Sequence, residues 1–154
     1  MPLGATYLDA EGKEHPIVMG SYGIGPARIV AAAIEQNADG KGIVWPPALA
    51  PWAVHLVALG KAGEETMQTA ERLYGELSEA GIETLFDDRE AGTGQKLTDA
   101  ELLGCPLRLV VGKRALAEGE IEAQARASGE EHRIAVDDVV TRAKEIIGQV
   151  GGPA

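Results

Sequence analysis

Apolar and polar positions in residues 53–150 repeat with two periods, one typical of β-strands and the other of α-helices. Because helical segments separate the first three strands, we expect these strands to be parallel, and a late hairpin at Ser128 and Gly129 adds antiparallel strands. The pattern therefore predicts an α/β fold, a mixed five-stranded sheet with helices on both faces. The predicted elements are strands at 53–59, 82–86, 107–111, 121–126 and 131–135 and helices at 64–80, 96–103 and 136–150.

A shorter pattern precedes this domain. Residues 4–7 and 16–19 predict two short strands joined by a polar turn, and Pro26 suits the first position of a helix that runs to about Gln36. This helix is apolar on nearly every side, which is typical of a helix buried inside a larger domain. We therefore interpret residues 1–42 as the last piece of a domain whose remainder is missing, and we expect this piece to dock on another surface or to be mobile.

Between the two patterns, residues 43–52 contain three prolines and follow neither period. Proline stiffens such a segment, so we interpret it as a proline-rich linker. The predicted organisation is a partial domain at 1–42, the linker at 43–52 and a second domain at 53–154.

Three glycines lie within six residues immediately before the first predicted helix, at Gly20, Gly23 and Gly25. Residues 17–19 read as the end of a strand, and Arg28 falls in the first helical turn. A bare turn, a helix N-terminus and an arginine are the parts of an anion-binding corner. A dinucleotide-binding fingerprint is a weaker interpretation, because it needs a third glycine where Arg28 stands. An ordinary glycine-rich turn before a core helix is the simplest alternative.

The amino-acid composition limits the classes of function that this chain can have. The chain of 154 residues is 45% hydrophobic but only 4% aromatic, which predicts an aliphatic core. Its net charge of −10 argues against nucleic acid as a partner, yet residues 87–114 balance five acidic against five basic side chains and permit RNA binding. One cysteine, Cys105, fits a reducing cytoplasm, and the absence of a long apolar run predicts no membrane association. Because the three histidines are scattered along the chain, a metal site is not a favoured interpretation.

Two strings of residues resemble one enzyme family. Motif 3 of class II aminoacyl-tRNA synthetases, in the form found in bacterial prolyl enzymes, resembles the string Met19-Gly20-Ser21-Tyr22-Gly23-Ile24-Gly25 with Arg28 three residues on. The string Phe86-Asp87-Asp88-Arg89, continued by Gly94, Lys96, residues 99–104, Pro106 and residues 110–112, resembles the anticodon-binding domain of prolyl-, threonyl-, histidyl- and glycyl-tRNA synthetases. Residues 42–51 resemble the join between the two domains. Thr93, where proline is expected, and the alanine-rich residues 122–125 depart from this likeness.

The resemblance implies a C-terminal part of an ATP-dependent proline–tRNA ligase that recognises the tRNA anticodon. Gly23, Gly25 and Arg28 would then be a remnant of the ATP site, with ATP and Mg²⁺ bound only by the full-length enzyme. Motifs 1 and 2 are not in this sequence, so the fragment alone is expected to be inactive and to carry no cofactor. The implied partners are the anticodon stem-loop of proline tRNA, the remainder of the synthetase and, for the full-length enzyme, a second copy. The implied location is the cytoplasm.

The candidate RNA-binding residues follow from the chemistry of unstacked bases. Arg89 and Lys96 are predicted to hold phosphates, and Asp99 and Glu101 to accept hydrogen bonds from guanine N1 and N2. Arg108 is a weaker candidate. We expect these residues on one rim of the sheet, near the carboxyl ends of its parallel strands.

Simpler interpretations stay open for several of these residues. Asp87, Asp88 and Arg89 can form a loop-capping ion-pair cluster, and Glu101 can face solvent. A receiver-type phosphotransfer module requires acidic residues after the first and third strands, and this sequence has none at those positions. A non-catalytic accessory or dimerisation protein with the same fold remains an alternative, as does the anticodon-binding domain of a related class II synthetase.

Overall fold

The computed structural model describes residues 4–150. Strands and helices are numbered separately in chain order. The strands are β1 (Thr6–Leu8), β2 (Glu14–Pro16), β3 (Ala38–Asp39), β4 (Gly42–Ile43), β5 (Val54–Leu59), β6 (Thr84–Asp87), β7 (Leu107–Gly112), β8 (Glu120–Ala125) and β9 (Glu131–Ala135). The helices are α1 (Pro26–Gln36), α2 (Glu65–Glu79), α3 (Thr93–Leu103), α4 (Lys113–Leu116) and α5 (Val139–Val150).

The central sheet has five strands in the order β6-β5-β7-β8-β9. Strand β5 is parallel to both β6 and β7, whereas β7 with β8 and β8 with β9 are antiparallel. The predicted mixed α/β sheet is confirmed, including the turn at Ser128 and Gly129, where Gly129 has a φ of +71°.

The two faces of the sheet are covered unequally. On one face, α2 and α5 pack against β5, β7, β8 and β9 through residues such as Leu73, Leu109 and Val139, all fully buried. On the other face, α3 packs Ala100 and the partly buried Leu97 against Val57 of β5 and Val110 of β7. No helix among residues 4–150 covers β8 and β9 on this second face, so a solvent-open sheet surface lies beside α3.

Two short elements are absent from the sequence prediction, and two helices begin three residues away from their predicted starts. Helix α4 follows β7 directly and is too short to produce a periodic pattern, and the β3–β4 hairpin has only two residues in each strand. Helix α3 begins at Thr93, three residues before the predicted start, and α5 follows a single 3-10 turn at Val136–Asp138. None of these helices is long and apolar enough to cross a membrane within the described residues.

The first hairpin forms, but its second strand lies earlier in the chain than predicted and both strands are shorter. Strand β2 ends at Pro16, so the prediction that this strand extends to Met19 is wrong. The following side chains pack against no described part of the chain, since Val18 is 94% exposed and Met19 is 78% exposed. Helix α1 has the predicted bounds, but Ala33 is its only buried residue in the described part of the chain.

The beginning of the predicted linker is packed against the second domain. The indole Nε1 of Trp45 donates to the carbonyl oxygen of Leu103 at 2.9 Å, and the Trp45 backbone N–H donates to Gly104 O at 3.3 Å. Gly104 has a φ of +67°, and a Cβ built there would lie 1.8 Å from Ile43 O. The chain therefore approaches the end of α3 as closely as a glycine permits. We call residues 38–45 the strap.

Candidate nucleic-acid interface

The predicted RNA-binding residues lie on both flanks of α3. Because β7 is parallel to β6, its second residue Arg108 is level with His55 and Leu85, near the amino ends of the strands, whereas the loop carrying Arg89 follows their carboxyl ends. The expectation of a single rim is therefore wrong. Helix α3 runs from the carboxyl ends of the parallel strands back towards their amino ends, with Arg89 and Asp99 paired on one flank and Glu101 and Arg108 on the other.

On the first flank, Arg89 is held by two carboxylates. Its Nε donates to Asp87 Oδ1 at 2.9 Å, and its Nη2 donates to Asp87 Oδ2 and to Asp99 Oδ2, both at 2.8 Å. These hydrogen bonds from Arg89, mainly its side-chain bonds, lower the pKa of the buried Asp87 carboxyl. The ion-pair interpretation is confirmed for Asp87 and Arg89, whereas Asp88 makes no ion pair among the described residues, and half of the Arg89 side chain remains exposed.

Lys96 cannot hold a phosphate in this structure, and that prediction is corrected. Its side chain is 1% exposed, and its Nζ donates to the carbonyl oxygens of Ala58 at 2.8 Å and Asp87 at 3.1 Å. The ammonium group lies inside the domain between α3 and the ends of two strands, out of reach of a ligand on the surface.

On the second flank, Glu101 lies between two cations. Its Oε1 is 3.8 Å from Arg108 Nη1 and 3.8 Å from Lys41 Nζ. The Arg108 side chain is 17% exposed, and its buried Nε has no hydrogen-bond partner among the described residues. An unpaired buried donor is costly, so the described residues do not fully satisfy the Arg108 guanidinium.

Arg108 borders a groove of about 300 Å³ on the open sheet surface beside α3. Apolar side chains of Leu97 and Val110 form part of it, and polar side chains of β8 and β9 form most of the remainder. We call it the open-face groove. Its other lining residues are Glu122, Ala123, Gln124, Glu131, His132 and Arg133.

The β8 and β9 residues of this groove are not among the RNA-binding residues predicted from the sequence, although the sequence carries a signal for them. In β8 the residues Glu120, Glu122 and Gln124 alternate with the buried Ile121, Ala123 and Ala125. Such alternation indicates a strand with one open face. The sequence predicts a strand at 121–126, but the prediction assigns no ligand to its open face.

A second groove of about 450 Å³ lies at the carboxyl ends of the parallel strands, next to the start of α3. Lys61 and Lys113 line it together with Glu64 and Glu90. Lys113 Nζ lies 3.2 Å from Glu64 Oε2, and hydrogen bonds from the Lys61 backbone and from Lys113 lower the Glu64 pKa. Neither lysine is among the RNA-binding residues predicted from the sequence.

The glycine corner before α1 is open. Gly23 and Gly25 have no positive φ, and a Cβ at either position would meet no atom within 4 Å, so neither turn geometry nor close packing requires glycine there. Arg28 lies in the first turn of α1, as predicted, with an exposed side chain. The assignment of these residues to an ATP site stays a prediction.

Comparison with known proteins gives this surface a family context. The family model described as "Anticodon binding domain" matches residues 53–146, which covers the five-stranded sheet and its helices. The chain belongs to this anticodon-binding family. Its matched domain includes both flanks of α3, the open-face groove and the groove at the strand ends.

Curated relatives extend the similarity to nearly the whole chain. A proline–tRNA ligase of Halothermothrix orenii is 53% identical over 148 residues, covering 96% of this chain and 26% of the relative. Proline–tRNA ligases of Pelobacter propionicus and Desulforamulus reducens are 52% and 48% identical over 90% and 94% of this chain, and 24% and 26% of the relatives. The chain thus spans about a quarter of the length of these relatives.

Proposed function

We propose that this chain is the part of a proline–tRNA ligase that binds the anticodon stem-loop of proline tRNA. Membership of the anticodon-binding family and the similarity to proline–tRNA ligases support this function. In this proposal, attachment of proline to tRNA with ATP is an activity of the whole enzyme, which acts as a homodimer. Arg28, Gly23 and Gly25 would contact ATP only within a complete catalytic domain, so the chain alone should not catalyse proline-dependent ATP–pyrophosphate exchange.

The open-face groove is the observation that carries the proposal. An unstacked base presents a flat face and a polar edge, and proteins bind the two with apolar and hydrogen-bonding side chains respectively. Here the partly buried Leu97 offers an apolar surface next to Arg108, whose Nε lacks a partner among the described residues. Guanine O6 and N7 accept hydrogen bonds from arginine, and its N1 and N2 donate to carboxylates. Glu131, on β9 in the same groove, supplies such a carboxylate.

Backbone phosphates have separate candidate partners. Arg89 is half exposed and keeps its Nη1 without a hydrogen bond among the described residues. Lys61 and Lys113 stand at the carboxyl ends of the parallel strands. Contacts of this kind add affinity and orient the RNA without reading its sequence. The overall charge of −10 is compatible with RNA binding because acidic and basic side chains balance over residues 87–114.

Fluorescence anisotropy with two labelled stem-loops tests this function. One carries the two adjacent guanines of a proline anticodon, and the other has both guanines replaced. We expect Arg108→Gln and Glu131→Gln to reduce the difference in affinity between the two RNAs, and Arg89→Ala to weaken both about equally. Arg142→Gln is the matched control, since Arg142 is an exposed, paired arginine on α5, which packs against the opposite face of the sheet. Equal affinity of the unsubstituted chain for both RNAs would overturn the proposed base reading.

A further inference from the structure

Lys96 is the largest side chain that is fully buried in the described part of the chain. Its Nζ donates to two carbonyl oxygens at the ends of neighbouring strands, Ala58 O in β5 and Asp87 O in β6. The same Nζ lies 3.7 Å from Asp87 Oδ1. Burying an ammonium group is unfavourable unless hydrogen bonds and an opposite charge compensate it. A hydrophobic residue would fill this position without that cost, which raises the question of what the charge does.

Asp87 connects the buried ammonium to the surface. Its side chain is 3% exposed, and both of its oxygens accept hydrogen bonds from the Arg89 guanidinium. Asp87 Oδ1 also accepts the Arg89 backbone N–H at 3.2 Å, which fixes the start of the loop. Asp99, three residues after Lys96 on α3, accepts the remaining bond from Arg89 Nη2. Helix α3 therefore supplies both ends of a network that runs from Lys96 through Asp87 and Arg89 to Asp99.

The network leaves the Arg89 guanidinium with a fixed plane and a free edge. An arginine side chain has many rotamers in water, and each contact that orders it before binding removes part of the entropy lost on binding. Without Lys96, Asp87 would be a buried carboxylate with less compensation, and its hold on Arg89 would weaken.

We infer that Lys96 and Asp87 are positioning residues that hold the Arg89 guanidinium in the orientation in which its free Nη1 edge binds a phosphate of the RNA. This inference rests on the proposed function for the identity of the ligand. Lys96 acts without touching RNA, so its effect on binding must pass through Arg89. A lysine that only stabilised the fold would affect binding independently of Arg89.

A double-mutant cycle separates these two roles. Affinities for the guanine-containing stem-loop are measured for the unsubstituted chain, Lys96→Met, Arg89→Ala and the double variant at one salt concentration. We expect each single substitution to weaken binding by about three- to tenfold and Lys96→Met to add no further loss once Arg89 is removed. An equal loss from Lys96→Met in both backgrounds would overturn the inference. Leu77→Ala, which removes a buried side chain of α2 on the opposite face, controls for lower stability alone.

A second measurement does not depend on RNA. In NMR spectra of the free chain, the Arg89 Nε–Hε group should give a distinct signal protected from exchange, because it donates to buried Asp87. The signal should lose its protection in Lys96→Met and in Asp87→Asn, and keep it in Leu77→Ala. Asp87→Asn preserves the side-chain volume and serves if Lys96→Met fails to fold. An unchanged Arg89 signal in the folded variants would refute the positioning role. If the signal changes but Arg89→Ala binds RNA normally, the positioning stands and the assigned phosphate contact fails.

Discussion

Arg126 and Asp39 form a two-bond ion pair although 87 residues separate them in the chain. Arg126 Nη1 lies 2.7 Å from Asp39 Oδ2, and Nη2 lies 2.8 Å from Oδ1. The parallel arrangement of two charged hydrogen bonds is the strongest geometry available to this pair. Arg126 follows β8 and Asp39 ends β3, so the bond joins the strap to the anticodon-binding domain. The strap is therefore a docked segment, whereas a flexible tether would make no such contacts.

Docking of the strap should weaken in acid. The Arg126 guanidinium, helped by the Lys41 backbone N–H, holds the pKa of the Asp39 carboxyl well below its usual range. A carboxyl with a lowered folded-state pKa stabilises the folded state above its ordinary pKa, about 4, and loses this contribution as the pH falls towards the lower value. In a Trp52→Phe background, the emission of Trp45 should stay constant down to about pH 4 and change below it.

Arg126→Met provides the comparison for this titration. The variant should lack the acid transition of Trp45, because Asp39 has then lost the partner that lowers its pKa. Arg142→Met, which removes an exposed arginine from α5, should titrate like the parent. The same acid transition in the Arg126→Met variant would show that the ion pair does not control docking.

Gly104→Ala should destabilise the chain more than an ordinary glycine substitution at a helix end. The added Cβ would meet the backbone oxygen of Ile43 at 1.8 Å, and no side-chain rotation can relieve that contact. The positive φ of +67° adds conformational strain to this contact. We therefore expect a loss of about 3 kcal/mol in the free energy of unfolding, measured in urea.

Gly81→Ala is the matched control for this experiment. Gly81 follows α2 with a φ of +75°, but a Cβ there would meet no atom within 4 Å. It should therefore cost only the conformational strain, about 1 kcal/mol. Equal losses at the two glycines would mean that the strap moves away from α3 without cost.

Hydrophobic periodicity predicted the sheet and its main helices because each of these elements buries one regular face. The same reasoning failed for Lys96, since a lysine in a helix is normally exposed and the partners that compensate its burial, Ala58 O and Asp87 O, come from distant strands. It also failed for the strap, whose docking depends on Gly104 and Arg126 far along the chain. Contacts of this kind leave no local period in the sequence.

Cys105 should be unreactive in the folded chain. Its side chain is 3% exposed, and burial raises the pKa of the thiol to about 11. Because the thiolate is the reactive form, alkylation by iodoacetamide at pH 8 should be slow in buffer and fast in urea. Fast modification of the native chain would show that the segment between α3 and β7 opens readily.

Self-association should depend on the segment before α1. Within the described part of the chain, residues 18–25 donate no backbone hydrogen bond, and Val18, Tyr22 and Ile24 are 94%, 97% and 84% exposed. Exposed apolar groups close together recruit other copies of a chain. Sedimentation velocity should therefore show concentration-dependent association that a Val18→Ser, Ile24→Ser variant reduces. Truncation to a chain starting at Trp45 should remove it, whereas Leu102→Ser, at an exposed leucine on α3, should leave it unchanged. If the truncated chain associates as strongly as the parent, the contact lies on the anticodon-binding domain and this prediction is wrong.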